Sequence, residues 1–314
     1  MNFREEIKKE IISKTLKDKC CKKSFLIGLI RGGGTLFSSE EGLGLDFTVK
    51  SEELASISTN YLRTLFDYEV RTMSVIEDKL TGLEKFKISI CGQDSEEVLV
   101  KLGVLIREGE ELSVNMDFFG DFAKKECCLK SFFRGLFITT GVVTTPSNDS
   151  STGYHLELSF SHSKTASLVN LKLLDNGVHT KIMRRKGKFV VYIKSVEEIK
   201  NFLAFLSLPL SVLKLTELII EREITNASNR ATNCDLANVE KQVEASAKQI
   251  SAINKIKKYN QSLLSDTLKE VAEARLTYKD ETLVELSSRL NISKSCLNHR
   301  LRRIIAIADG IKEE

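Results

Sequence analysis

The sequence predicts an α+β chain in which one helix-and-strand unit occurs twice and is followed by an all-α module. Three observations carry that reading. An offset of 107 residues superposes CCKKSFLIGLIRGGGTL, from Cys20, on CCLKSFFRGLFITTGVV, from Cys127, with eight of 17 positions identical, where chance would give about one. The same order of hydrophobic periodicities follows each copy. Past the second copy the strand signals stop, and no Gly or Pro interrupts the chain between Ser211 and Lys258. A length of 314 residues also exceeds what one core usually supports, so two or three domains are expected.

In the first repeat, about residues 15–107, the shared segment reads as a helix with a strand straight after it near Leu36. A strand over 44–50, a helix over 53–65, strands over 70–76 and 85–91 around a Thr81-Gly82 turn, and a helix over 96–106 follow. The second repeat, about 122–206, has its extra strand near Val142, then a strand over 154–160 and a helix over 164–174. Strands over 181–184 and 189–194 around Lys186-Gly187 and a helix over 196–206 complete it. A pseudo-two-fold pair of such units would cover the sheet faces within one monomer. Gly28 and Gly135 fall mid-helix, where Gly costs about 1 kcal/mol against Ala, so two helices are expected to touch there. Gly34 and Gly141 are expected to end those helices as left-handed caps.

The segment Leu26-Ile27-Gly28-Leu29-Ile30-Arg31-Gly32-Gly33-Gly34 resembles the LAGLIDADG motif of homing endonucleases, whose fold is a duplicated αββαββα unit. That resemblance implies an acid at the eighth motif position of each half, holding divalent metal for phosphodiester cleavage. Here the eighth positions are Gly33 and Thr140, and the sixth are Arg31 and Ile138. Metal-assisted phosphoryl chemistry needs hard oxygen ligands, chiefly carboxylates, which none of the four supplies. The expectation is a protein with no catalytic residue, no metal and no cofactor. The rival is an endonuclease with displaced acids such as Glu40 or Asp46.

The chain over 217–259 reads as a polar helix, with Asn226, Asn229, Arg230, Asn233 and Asn238 close together, and is taken as a solvated connector. Residues 282–290 form an amphipathic helix with Leu283, Leu286 and Leu290 on one side; Asn291-Ile292 is a tight turn, and Ser293 opens a second helix. This is helix-turn-helix spacing. Small Ser287 permits the crossing, Asn291 suits a left-handed position, and Ile292, Leu297 and Leu301 are the expected core, with Arg300 where the last core residue usually stands. Ser293 and Ser295 suit phosphate at the helix start. Lys294, Asn298, His299 and Arg302, with Arg303 beside them, form the expected base-reading face. A plain basic helical hairpin would carry the same charge; the turn and the serine start favour the DNA reader. A second basic segment, 181–194, holds six basic residues and no acid. Its Arg184, Arg185, Lys186 and Lys188 fit a DNA-facing saddle of the nuclease fold and, equally, a solvated hairpin tip.

The order of parts, with NRATNCDLANVEKQ between them and SKSCLNHRLRRIIAIAD near the end, resembles the WhiA family of bacterial regulators over essentially the whole chain. That implies a transcription regulator tied to cell division and chromosome segregation, or to sporulation, or a scaffold at that machinery. Double-stranded DNA is the expected partner, with other regulatory proteins beside it. The division expected is 1–206 for the duplicated domain, 207–260 for a helical linker and 261–314 for the helix-turn-helix domain.

The net charge of +4 is uninformative alone, but 181–194 and 289–303 contribute +6 and +5, so the rest is net acidic. The longest apolar stretch, 202–213, is short of a membrane span and reads as core, and the first residues carry no signal-type apolar run. A cytoplasmic, nucleoid-associated protein without membrane contact is expected. Seven cysteines without a C-x-x-C pair make disulfides and a structural zinc unexpected. His155, His162 and His179 read as strand-surface residues. No phosphate loop follows Gly32, Gly33 and Gly34, and no nucleophile elbow occurs.

Overall fold

The computed structural model describes residues 2–70, 72–77, 84–146, 153–259 and 261–311, so the expected Thr81-Gly82 turn lies outside them. The chain divides into two compact units, Met1–Leu218 and Ile219–Glu314. In the first, α1 (Phe3–Ser13) precedes the two repeats. The first repeat is α2 (Lys19–Gly33), β1 (Gly34–Ser39), β2 (Gly42–Val49), α3 (Glu52–Phe66), β3 (Thr72–Glu77), β4 (Glu84–Ile90) and α4 (Ser95–Lys101). A hairpin of β5 (Leu105–Glu108) and β6 (Glu111–Val114) leads on. The second repeat is α5 (Glu126–Thr140), β7 (Gly141–Thr144), β8 (His155–Phe160), α6 (Ser163–Asp175), β9 (Lys181–Arg185), β10 (Lys188–Ile193) and α7 (Val196–Phe205). The antiparallel sheets have matching orders, β1-β2-β4-β3 and β7-β8-β10-β9.

Local chemistry explains these elements. Along β2, Leu45, Phe47 and Val49 are buried while Asp46 and Thr48 are half-exposed, the period of two that a sheet with one covered face requires. Helix α3 starts where the Ser51 hydroxyl accepts the Leu54 N–H at 3.3 Å, and buries Leu54, Ala55, Ser58, Tyr61 and Leu62 at helical spacing. The β9–β10 hairpin closes through Lys186 and Gly187, at φ +49° and +76°, the two positive angles that a two-residue turn of matching twist demands.

At the centre, α2 and α5 touch backbone to backbone. A Cβ on Gly28 would lie 2.0 Å from the Phe132 carbonyl oxygen, and one on Gly135 would lie 2.2 Å from that of Phe25. The two contacts are reciprocal under the 107-residue offset, so the expected pseudo-two-fold is realised. Leu26, Leu29, Phe132, Phe133 and Leu136 are fully buried around them. Gly34 and Gly141 are not left-handed: φ/ψ are −82°/146° and −75°/134°. They are needed for space, because each helix passes straight into a strand and a Cβ would meet the Ile30 or Phe137 carbonyl at 2.6 or 2.5 Å.

Other expectations also need correction. Helix α4 stops at Lys101, well before residue 106, because Gly103 at φ +70° closes it: the Gly103 and Val104 amides return to the Val100 and Leu99 carbonyls. The stretch over 202–213 is only half core. Ser207, at φ +55°, divides it between α7 and α8 (Pro209–Tyr259), so Phe202, Leu203, Leu206 and Leu208 are buried while Leu210 and Leu213 are 67% and 62% exposed. Of the three histidines expected on strands, only His155 lies on one; His162 precedes α6, and His179 bonds Glu198 in a loop.

Helix α1 carries two buried charges. Glu10 accepts from the Leu210 and Ser211 amides at 3.0 and 2.8 Å and from the Ser211 hydroxyl at 2.5 Å, which satisfies the exposed donors of the first turn of α8. At Lys8, burial, with Arg4 adding repulsion that nearby Glu5 only partly offsets, pushes the ammonium down to about 8. Its folded-state pKa is therefore below the unfolded value of 10.5, so the unfolded chain holds the proton more tightly. Stability from this group rises with pH across about 8 to 10.5. Unfolding titrations of wild type and Lys8→Met should diverge across that window, by about 2–3 kcal/mol in total. Parallel curves would contradict the burial of a charged Lys8.

The second unit is helical. Its core joins Ile253 and Ile256 near the end of α8 to Leu268 and Val271 of α9 (Asp266–Thr277), Leu286 of α10 (Leu283–Arg289), and Leu297, Leu301 and Ile304 of α11 (Lys294–Asp309).

Candidate nucleic-acid interface

Helix α10 begins with a reciprocal cap: the Thr282 amide donates to the Glu285 carboxylate at 2.8 Å, and the Glu285 amide donates to the Thr282 hydroxyl at 3.3 Å. Ser287 is buried and donates to the Val284 carbonyl, so the next helix can cross close by. Asn291 adopts φ +52°, and the Asn291 and Ile292 amides return to the Ser288 and Ser287 carbonyls. The expected left-handed turn residue is thus in place, and it ends α10 within one turn.

Ser293 caps α11, its hydroxyl oxygen accepting the Cys296 amide at 3.2 Å. Leu297, Leu301, Ile304 and Ala308 bury one face of the helix. Leu301 rather than Arg300 is the core residue, because this face runs at intervals of four, three and four. Lys294, Ser295, His299, Arg302 and Arg303 are exposed on the rest of the helix, and Asn298 is half-buried. No side-chain hydrogen bond or ion pair ties Lys294, Asn298, His299, Arg302 or Arg303 among the described residues. Arg289 is different: Glu281 holds it at 2.6 Å, its guanidinium lies 3.8 Å from the Tyr278 ring centre, and the bonds to Glu281 raise its pKa further.

One supporting residue escaped the sequence reading. Arg275 is 2% exposed and donates to the Glu281 carbonyl at 2.8 Å, which fixes the loop before α10. The available signal was its place on the α9 stripe after Leu268, Val271 and Ala272, where a basic residue must be paired with something inside.

In the first unit, all five residues of β9 are exposed, as are Lys186 and Lys188. Arg185 is committed, however, donating to Glu157 at 2.8 Å beside His155. Arg184 lies over the Phe189 ring at 5.7 Å. The motif ends of α2 and α5 meet a cleft of about 380 Å³ whose lining includes Arg4, Arg31, Thr139, Thr140, His162 and Lys188 and, among the described residues, no carboxylate. Thr140 donates to the Leu136 carbonyl, and Arg31 donates to Gly103 and stacks on Phe118. Burial pushes Arg31 down to about 10. Asp46 is paired with Lys87, and Glu40 sits in the exposed turn after β1; neither lines the cleft.

Taken together, the fold is a duplicated LAGLIDADG-like module, without acids at its motif positions, combined with a helix-turn-helix module. Family models match in the same order: the WhiA N-terminal LAGLIDADG-like domain at 19–105, the WhiA LAGLIDADG-like domain at 129–225 and the WhiA C-terminal HTH domain at 228–308. The chain belongs to the WhiA family. It is 31% identical over 316 residues to the probable cell division protein WhiA of Oceanobacillus iheyensis, covering 99% of this chain and 98% of that one. Against the protein of the same description from Bacillus pumilus it is 32% identical over 319 residues, again covering 99% and 98%. The crystal structure of full-length WhiA from Thermatoga maritima aligns with all of both chains at 26% identity and a TM-score of 0.55. Among the described residues no helix is long and apolar enough to cross a membrane.

Proposed function

We propose that this protein is a non-enzymatic, sequence-specific DNA-binding regulator that acts in the cytoplasm at the nucleoid. The observation that carries the reading is the outer face of α11, where Lys294, His299, Arg302 and Arg303 are exposed and Asn298 half-buried, none with a side-chain hydrogen bond or ion pair among the described residues. Amide, guanidinium and ammonium groups along the exposed side of such a helix are what base edges and phosphates of the major groove bind. The names of the relatives support cell division as the process, and the resemblance to the family adds chromosome segregation or sporulation as its setting. We divide the work as 1–206 for the duplicated domain, 207–260 for the connector and 261–314 for the reader, in a monomer with an internal pseudo-two-fold. That no carboxylate lines the motif cleft among the described residues supports the absence of nuclease chemistry.

The test is a gel shift on genomic fragments with excess competitor DNA. Retention of a defined subset is expected; indifference to sequence would overturn the reading. Metal-dependent nicking of plasmid that is lost in Asp46→Asn would overturn its non-enzymatic part.

The β9–β10 hairpin is assigned a secondary role on the phosphate backbone through Arg184, Lys186 and Lys188, with Arg185 held back by Glu157. Replacing those three by Ala should flatten the salt dependence of binding by roughly one unit of slope for each phosphate no longer neutralised, with sequence preference unchanged. An unaltered slope would confine binding to the C-terminal helices.

A further inference from the structure

Four of the seven cysteines meet at one place that neither the DNA-binding face nor the motif cleft uses. Cys20 and Cys21 are the second and third residues of α2, and Cys127 and Cys128 hold the same positions in α5. The sulfurs of Cys20, Cys21 and Cys128 all lie within 4.8 Å of one another. The sulfur of Cys127 is 4.0 Å from that of Cys128. Cys20 and Cys21 map onto Cys127 and Cys128 under the 107-residue offset, so the cluster follows the pseudo-two-fold of the helices. Cys21 and Cys128 are buried, while Cys20 and Cys127 are exposed and leave a way in for an ion.

We propose that Cys20, Cys21, Cys127 and Cys128 form a four-thiolate site for a soft d¹⁰ cation, with Zn(II) as the chemical type. A tetrahedral zinc with Zn–S bonds of about 2.3 Å sets its sulfurs roughly 3.8 Å apart, so the Cys20, Cys21 and Cys128 sulfurs need to close by no more than about 1 Å, and the exposed Cys127, 4.0 Å from Cys128, turns in as the fourth ligand. Both helix starts point their positive ends at the cluster, which favours thiolate. Four protein ligands leave no open position, so the ion would be structural, tying α2 to α5 at the end opposite the motif cleft. As each metal–sulfur bond forms, the thiol gives its proton to solvent and no electron is transferred. Because a thiol must lose its proton to bind the ion, metal uptake should release protons and strengthen with pH. The C-x-x-C rule misses such a site because two adjacent pairs, 107 residues apart, supply it.

The experiment uses the full-length protein, fully reduced and without oxygen, titrated with Co(II) as the probe. The expected result is one equivalent bound, with intense sulfur-to-cobalt charge-transfer absorption and tetrahedral visible bands that Zn(II) then bleaches. Cys91→Ser with Cys234→Ser should leave these bands intact, and Cys21→Ser with Cys128→Ser should abolish them. Should the buried pair impair folding by circular dichroism, Cys20→Ser with Cys127→Ser, at the exposed positions, should remove the four-sulfur bands alone. No charge-transfer band in the wild type, or bands that survive both double variants, would overturn the proposal. So would a Cys20–Cys128 disulfide found in place of metal binding.

Discussion

Gly28→Ala and Gly135→Ala should each lower the free energy of unfolding by about 3 kcal/mol, read as a shift in denaturant midpoint at unchanged slope. The added methyl has nowhere to go. At 2.0 and 2.2 Å it would overlap a backbone carbonyl of the partner helix, and the next atoms, the Leu136 and Leu29 amide nitrogens, lie at 2.8 and 3.0 Å. These are main-chain atoms, so no rotamer change relieves the clash and the helices must separate. Their largest buried side chains, Phe132 and Phe133 among them, would then lose close packing. The sign makes the test clean. In a helix free of that contact, Gly→Ala would stabilise by about 1 kcal/mol. Gly120→Ala is the control, since nothing lies within 4 Å of its Cβ position, and a change within about 0.5 kcal/mol is expected there. Stabilisation by either helix substitution would disprove the close crossing.

Asn298→Ala and Arg302→Ala should each weaken binding to the specific site by about 1–3 kcal/mol at fixed salt, with the two effects adding for independent base contacts. Neither side chain is among those that α11 buries, so thermal unfolding of the free protein should scarcely move. Arg302→Lys sharpens the interpretation. It keeps the charge and the salt slope but loses the planar fork that a guanine edge accepts. Specific affinity should therefore fall while affinity for unrelated DNA holds. Equal weakening on every sequence would make Arg302 a phosphate contact, and no weakening in the double variant would remove α11 from the interface.

The duplicated repeat and the helix-turn-helix were legible because their signals are local or self-repeating. A 107-residue offset, the alternation of Leu45, Phe47 and Val49, and the spacing of Leu297 and Leu301 are all visible along the chain itself. Even the mid-helix glycines announced a close crossing, because their helical cost has to be offset by packing. Element ends were less legible. The end of α4 turned on the left-handed conformation of Gly103, while Gly34 and Gly141, which looked the same in sequence, proved extended. A glycine advertises missing bulk, and only its surroundings tell whether the backbone angle or the space was required.

Charge behaved in the same way. The sequence alone determined where basic residues concentrate, in 181–194 and 289–303, and that the motif positions lack acids. Only the tertiary structure decided which of those charges are free. Glu157 reaches Arg185 from β8, Glu281 captures Arg289 across the loop before α10, and four sulfurs from two distant segments converge at paired helix starts. The physical reason is common to all three. Periodicity and composition are properties of neighbouring residues along the chain, whereas ion pairing and ligand geometry depend on distances of a few ångströms between residues that the chain itself holds far apart.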